Sequence, residues 1–229
     1  VIRFEQIRFA YVGRPPVLDG ASVAIGPGLT LLLGPNGSGK STLLRLAAGV
    51  ERPHAGRVTI DGVDLWTEEV ASRRALTYVP EQPDMSPYKT LGEILTLVER
   101  LRGAGSGWGR KALDEVGLGA LAARSIRELS LGQRRRVALA AARIGSSRVV
   151  LLDDPLEAMD RAIADALLGW IDAWVDTGAA VVVAGHDLER FASRTVRAAA
   201  VRDGRIALVE SLPVDPRERL AALEALARS

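Results

Sequence analysis

The sequence predicts an α/β fold, and three observations carry that expectation. Apolar runs at Leu29–Leu33, Val149–Leu152 and Ala179–Ala184 show no alternation, as strands buried on both faces do. Stretches with apolar residues at helical spacing stand between them. The first run empties into "GPNGSGKST", Gly34 to Thr42, ahead of a helix. Buried strands alternating with helices imply a mostly parallel sheet. An antiparallel β subdomain near the start and a helical insertion in the middle complete the expected architecture.

The elements follow in order. Ile7, Phe9 and Tyr11 alternate with polar or small residues, as one face of a strand would. Val17 to Ile25 is a second strand, closed by the turn "GPG" at Gly26 to Gly28. Leu29–Leu33 follows, then a helix over about Lys40 to Ala48, with Gly49 at its C-terminal stop. "RVTIDG" and "ALTYVP" give two short strands. Leu91, Ile94, Leu95, Val98 and Leu101 share one helical face. "GAGSGWG", Gly103 to Gly109, breaks the chain, and a short helix is expected over Lys111 to Val116. Residues 84–128 therefore read as a helical insertion inside one domain of residues 1–229. Beyond it, Ile163, Leu167, Trp170, Ile171 and Trp174 form the apolar stripe of a helix ended by Gly178. "RDGR" at Arg202 to Arg205 signals a tight hairpin. A C-terminal helix is expected within 211–229, with Leu220, Leu223 and Leu226 toward the body.

The glycine-rich stretch carries chemistry. It fits G-x-x-x-x-G-K-[ST] through Gly34, Gly39, Lys40 and Ser41, a P-loop. Its glycines, with Pro35, Asn36, Gly37 and Ser38 between the first and the last, let backbone N–H groups of the loop curl around a polyphosphate. Lys40 can reach the outer phosphates, Ser41 offers a hydroxyl to Mg²⁺, and Thr42 continues the first helical turn, whose positive dipole end faces the same anion. "VVLLDDP" adds Asp153 at the end of a buried strand, an acid able to hold Mg²⁺ directly or through water. In "ELSLGQRRRVALAAARI", Ser130 with Gln133 makes a capping box that opens a long helix. By itself this is a plain helix cap; with Gly132 it can also serve as a second anion-accepting helix start. One nucleotide does not need two such sites far apart in sequence, whereas two chains facing each other would use both.

With these motifs in order, the sequence resembles the ATP-binding cassette of ABC transporters, from Tyr11 to the C-terminal hairpin. The resemblance implies two cassettes sandwiching two ATP molecules, each held by one phosphate loop and the opposing "ELSLGQ" segment. It implies that Tyr11 stacks on adenine, and that Gln82 in "VPEQPDM" senses Mg²⁺ and the γ-phosphate. It implies that Asp160 in "LEAMD" crosses the dimer interface, and that His186 in "VVVAGHD" contacts the γ-phosphate. Asp154 stands where the family has the glutamate that polarises attacking water, so slow turnover is expected. Leu131 stands where the signature has its first glycine. The tripled arginine, Arg134 to Arg136, reads as a solvated face. His54 matches nothing in the pattern.

Composition narrows the classes. The chain has 229 residues, 48% hydrophobic and 25% charged, an ordinary globular balance. A net charge of +2 gives no field that argues for nucleic acid, and none is expected as a partner. Without cysteine there is no disulfide framework and no thiolate site. No apolar run approaches the roughly 20 residues of a membrane span, and no secretory signal pattern opens the sequence. The expected place is the cytoplasmic face of a membrane, reached through transmembrane transporter subunits, with a second cassette as the other partner. Three rivals stay open at this stage: a slowly hydrolysing regulatory cassette, a soluble cassette ATPase of repair or translation, and a small-molecule kinase.

Overall fold

The computed structural model describes residues 1–157, 159–195 and 197–228. The chain begins with β1 (Ile2–Ala10), β2 (Pro16–Ile25) and β3 (Gly28–Leu33), then enters α1 (Lys40–Ala47). β4 (Ala55–Ile60), β5 (Val63–Asp64), α2 (Glu69–Arg74) and β6 (Leu76–Val79) follow. The insertion holds α3 (Leu91–Arg102), α4 (Trp108–Glu115) and two 3₁₀ turns, Gly119–Leu121 and Ile126–Glu128. The second half alternates α5 (Leu131–Ala142), β7 (Val149–Asp153), α6 (Arg161–Asp176), β8 (Ala180–Ala184) and α7 (Leu188–Ala192). It closes with the hairpin β9 (Arg197–Arg202) and β10 (Arg205–Val209), then α8 (Pro216–Arg228). The expected C-terminal helix is therefore present, and its last residue, Ser229, lies outside the described residues.

Two sheets organise these elements. One is antiparallel, in the order β2-β1-β4-β5. The other runs β10-β9-β3-β8-β7-β6, parallel throughout except for β10 at the edge. The unalternated strands are indeed buried on both faces. Leu31, Val150, Leu152, Val181 and Val183 join a core with α5, α6 and α8. Leu32, Val149, Leu151 and Val182 join a second core with α1 and the antiparallel sheet. β1 keeps one buried face although Ile2 and Phe4 are even-numbered while Ile7 and Phe9 are odd-numbered. Gln6 adopts φ 51, and the register shifts between Phe4 and Ile7, which flips the phase by one residue. Asp203 and Gly204, at φ 47 and 73, both sit in the left-handed region that a two-residue hairpin turn demands.

The insertion is not a separate unit, because Leu91, Leu95, Leu113 and Ile126 share the core of β3 and α6. Three expectations within and beside it need correction. Leu101 does not continue the buried stripe of α3: it is 66% exposed. The inward positions at that end go to Glu99, which accepts from the Gly109 amide, and to Arg102, which hydrogen-bonds to β6. The next helix starts at Trp108, three residues before the expected Lys111. The tripled arginine is no solvated face either. Arg135 is buried, and Arg136 donates to Asp160.

Candidate active site

The loop between β3 and α1 is shaped by contacts that exclude side chains. A Cβ at Gly34, φ 140, would come 2.4 Å from the Val201 carbonyl oxygen, and one at Gly39, φ 108, would meet Val17 Cγ1 at 2.8 Å. Lys40 is buried, and its Nζ donates to the carbonyls of Gly34 (2.8 Å) and Pro35 (3.1 Å). Burial holds its pKa below the usual lysine value, while Asp154 and Asp153 pull the other way. The lysine is thus folded across its own loop, and the first amides of α1 have no partner within the helix to compete with an anion.

Beneath the loop lies Asp153. The strand order places β8 between β3 and β7, yet Ser41 in the first turn of α1 spans the gap. Its Oγ donates to Asp153 Oδ1 at 3.1 Å. Burial pushes the Asp153 pKa up to about 6; the Ser41 bond opposes this, and Asp154 and Glu81 add to it. A buried carboxyl with a raised pKa beside a hydroxyl is a place short of positive charge. Mg²⁺ in nucleotide sites takes one or two carboxylates and completes its shell with water and phosphate oxygens. The donor set fits that mode, and no cluster of three or more metal-ligating acids, histidines or cysteines exists among the described residues.

The next residue, Asp154, leaves β7 in the left-handed region, φ 44, with its amide bonded to the Ala184 carbonyl at 2.8 Å. Burial raises its pKa, with His186 the largest opposing influence. His186 Nε2 stands 4.0 Å from Asp154 Oδ2, across Gly185. Tyr11 lies at the other end. Its ring meets Phe9 edge-on at 5.0 Å, and its hydroxyl is 3.3 Å from Thr42 Oγ1.

One cavity of about 720 Å³ is lined by Tyr11, Asn36, Gly37, Gly39 to Thr42, Glu81, Asp154, Glu157 and His186, among others, with Asp153 buried behind Ser41 rather than on its wall. Most of the expected residues therefore converge. Gly34 and Pro35 line a smaller adjoining cavity that Lys40 and His186 share, and Ser38 faces a groove beside Arg202 to Gly204. Gln82 does not join them. It is exposed, while Glu81 lines the cavity in its place. In the same turn, after Pro80, Arg135 Nε donates to the Glu81 carbonyl at 2.8 Å. Ser130, Gly132 and Gln133 do not line the cavity either. Ser130 Oγ accepts from the Gln133 amide, and Gln133 Oε1 accepts from the Ser130 amide, the reciprocal box expected of a helix start. Asp160 caps α6 by accepting from the Ile163 amide at 3.0 Å. Sequence reasoning missed Glu81, Glu157 and Arg135; only the short distance of Glu81 from its strand end could have marked it.

A phosphate-cradling loop that opens a helix, with a buried strand-end acid under it and a second acid facing a histidine, defines a nucleoside triphosphatase of the P-loop class. The comparisons narrow that class. Residues 18–157 fit the ABC transporter family. The cell division ATP-binding protein FtsE of Escherichia coli K12 is 32% identical over 215 residues, covering 90% of this chain and 97% of that protein. The aliphatic sulfonates import ATP-binding protein SsuB of Cupriavidus necator is 34% identical, covering 96% and 73%. The ATP-binding subunit of an ABC transporter superposes with a TM-score of 0.86 at 23% identity, over 99% and 97% of the two chains, which speaks to fold. A dimeric ATP-binding cassette with ADP and Pi bound, in a post-hydrolysis state, aligns with a TM-score of 0.81 at 25% identity, over 92% and 98%. The chain belongs to the ABC transporter family and is one of its ATP-binding and ATP-hydrolysing subunits.

Proposed function

We propose that this chain powers a membrane transporter by closing against a second cassette around ATP and reopening after hydrolysis. The observation that carries the reading is the Ser41–Asp153 contact at 3.1 Å beneath the phosphate loop, with Asp154 and His186 facing the same cavity. Lys40 and the loop amides bind the phosphates, and Tyr11 offers its ring to the base. Ser41 and Asp153 would hold Mg²⁺, which would draw charge from the phosphate oxygens. Asp154 accepts the proton of the attacking water, and His186 steadies the γ-phosphate. Glu81, rather than Gln82, is the polar side chain after β6 that meets this end of the cavity. The second cassette contributes its own Ser130 to Gln133 helix start. In this reading separate transmembrane subunits provide the passage and this chain lies peripheral to them; no described helix is long and apolar enough to cross a membrane.

A second reading is a cassette that binds ATP and turns it over slowly. The short acid at position 154 favours it.

Lys40→Ala tests the common basis of both. The lysine meets phosphate charge inside a partly dry site, where charge-assisted hydrogen bonds are strong. Titration of a fluorescent ATP analogue with Mg²⁺ should show tight binding by the wild type and its loss in the variant. Equal affinities would remove the phosphate loop from the argument.

A further inference from the structure

Arg135 lies within α5, five residues beyond the Ser130 cap, and is 6% exposed. All parts of its guanidinium are engaged. Nε donates to the Glu81 carbonyl at 2.8 Å, Nη1 to the Glu157 carbonyl at 3.2 Å, and Nη2 to Glu157 Oε2 at 2.7 Å. Glu81 belongs to the loop after β6, and Glu157 to the loop after β7. Both line the cavity that holds Asp154. The second loop is a tight turn, in which the Glu157 amide donates to the Asp154 carbonyl at 3.2 Å. A single planar fork therefore spans two loops that no strand pairing joins beyond Val79–Leu152.

We propose that Arg135 is a positioning residue for hydrolysis: it fixes the Asp154 turn against the loop after β6, so that the acid meets the attacking water at one defined place. This rests on the hydrolytic reading above. Two of its three bonds go to main-chain carbonyls. They set backbone position, which a mere exchange of charge would not require. Lysine at the same place keeps the charge, but as a compact point donor it cannot span both carbonyls in a fixed plane. Arg135→Lys therefore separates charge from geometry. A turn displaced by about 1 Å costs on the order of 100-fold in rate when a catalytic group rides on it. Nucleotide affinity, carried by the phosphate loop, has no reason to change.

The experiment measures steady-state ATP turnover, affinity for a fluorescent ATP analogue, and melting temperature for the wild type, Arg135→Lys and Glu157→Ala. Glu157→Ala removes only the Nη2 partner, whose side chain is 56% exposed, so folding is not at stake in it. The expected result is a kcat lower by about tenfold or more in Arg135→Lys, with analogue affinity unchanged, and lower by a smaller factor in Glu157→Ala. Wild-type turnover in Arg135→Lys overturns the inference. So does a parallel fall of kcat, affinity and melting temperature in both variants, which would mark a packing role. A wild-type chain that binds the analogue but never hydrolyses ATP overturns the hydrolytic reading and this inference with it. An active wild type beside an equally active Arg135→Lys overturns this inference alone.

Discussion

Asp154 joins backbone and chemistry in one residue. Its φ of 44 lies where an L-residue usually pays a steric cost, and aspartate is among the side chains that tolerate it best. The turn leaving β7 thus suits the shorter acid, at the expense of about one methylene of reach toward the cavity. Slow wild-type hydrolysis is the expected consequence, with Asp154→Glu faster and Asp154→Asn slower. The gain from glutamate should be at most about 100-fold, the scale of a 1 Å displacement. It should come with a loss of stability on the order of 1 kcal/mol, because glutamate fits the left-handed region less well. Turnover and thermal melting of the three proteins check both halves. An Asp154→Asn variant as fast as the wild type would remove Asp154 from the chemistry. At this scale much of the site could be read from sequence. Lys40, Ser41, Asp153 and His186 sit at strand ends or in a spaced glycine motif, where position follows from neighbours in the chain. Glu81 and Gln82 could not be told apart that way. Both are polar and both lie between Pro80 and Pro83, and the turn they share is held at the Glu81 carbonyl by Arg135, 54 residues away.

The end of α3 shows the same limit for an element. The apolar spacing predicted the helix and its buried face at Leu91 and Leu95, but carried the stripe one turn too far. At the last turn the inward position is Arg102. Its Nη1 donates to Ser147 Oγ at 2.7 Å, and its Nη2 to Thr77 Oγ1 at 2.6 Å and to the Leu76 carbonyl at 3.2 Å. Burial lowers its pKa, yet a guanidinium stays protonated, and the C-terminal end of its own helix favours the charge. A hydropathy pattern cannot announce a half-buried cation whose acceptors are two hydroxyls and a strand carbonyl distant in sequence. The contact ties the insertion to the start of β6 and to the loop before β7. Arg102→Met should therefore cost about 1–3 kcal/mol, the scale of hydrogen bonds to a charged group. The low end is expected, because Thr77 and Ser147 already bond to each other at 2.6 Å and would stay paired. Urea unfolding should show the midpoint fall while affinity for an ATP analogue holds. An unchanged midpoint would mean that the insertion is held by its apolar core alone.

For the molecule as a whole, the question is what the exposed helix start at Ser130 is for. Ser130 opens α5 on an exposed surface, apart from the cavity that holds Lys40. Leu131 beside it is 49% exposed, an apolar group that this chain leaves uncovered. If a second cassette's ATP is the ligand of that helix start, association must depend on nucleotide. The chain alone should sediment as a monomer without ATP. With Mg-ATP, and with Asp154→Asn to slow turnover, it should sediment as a dimer. Each chain carries a net charge of +2, which the anionic nucleotide offsets, so charge also favours closing in the liganded state. Ser130→Arg should block the dimer, since it puts a bulky cation where the hydroxyl and free amides would meet the partner's γ-phosphate. It also removes the cap, at a cost of about 1 kcal/mol. That is small beside the roughly 5–15 kcal/mol stability of a folded domain, so the monomer should survive. The monomer should also keep its affinity for the ATP analogue, because Ser130 does not line its own cavity. Affinity and sedimentation measured on the same preparation separate the two effects. A Ser130→Arg chain that still dimerises with Mg-ATP would count against the two-site arrangement. A wild-type chain that dimerises equally without nucleotide would do the same, because nothing would then link closure to the energy of ATP.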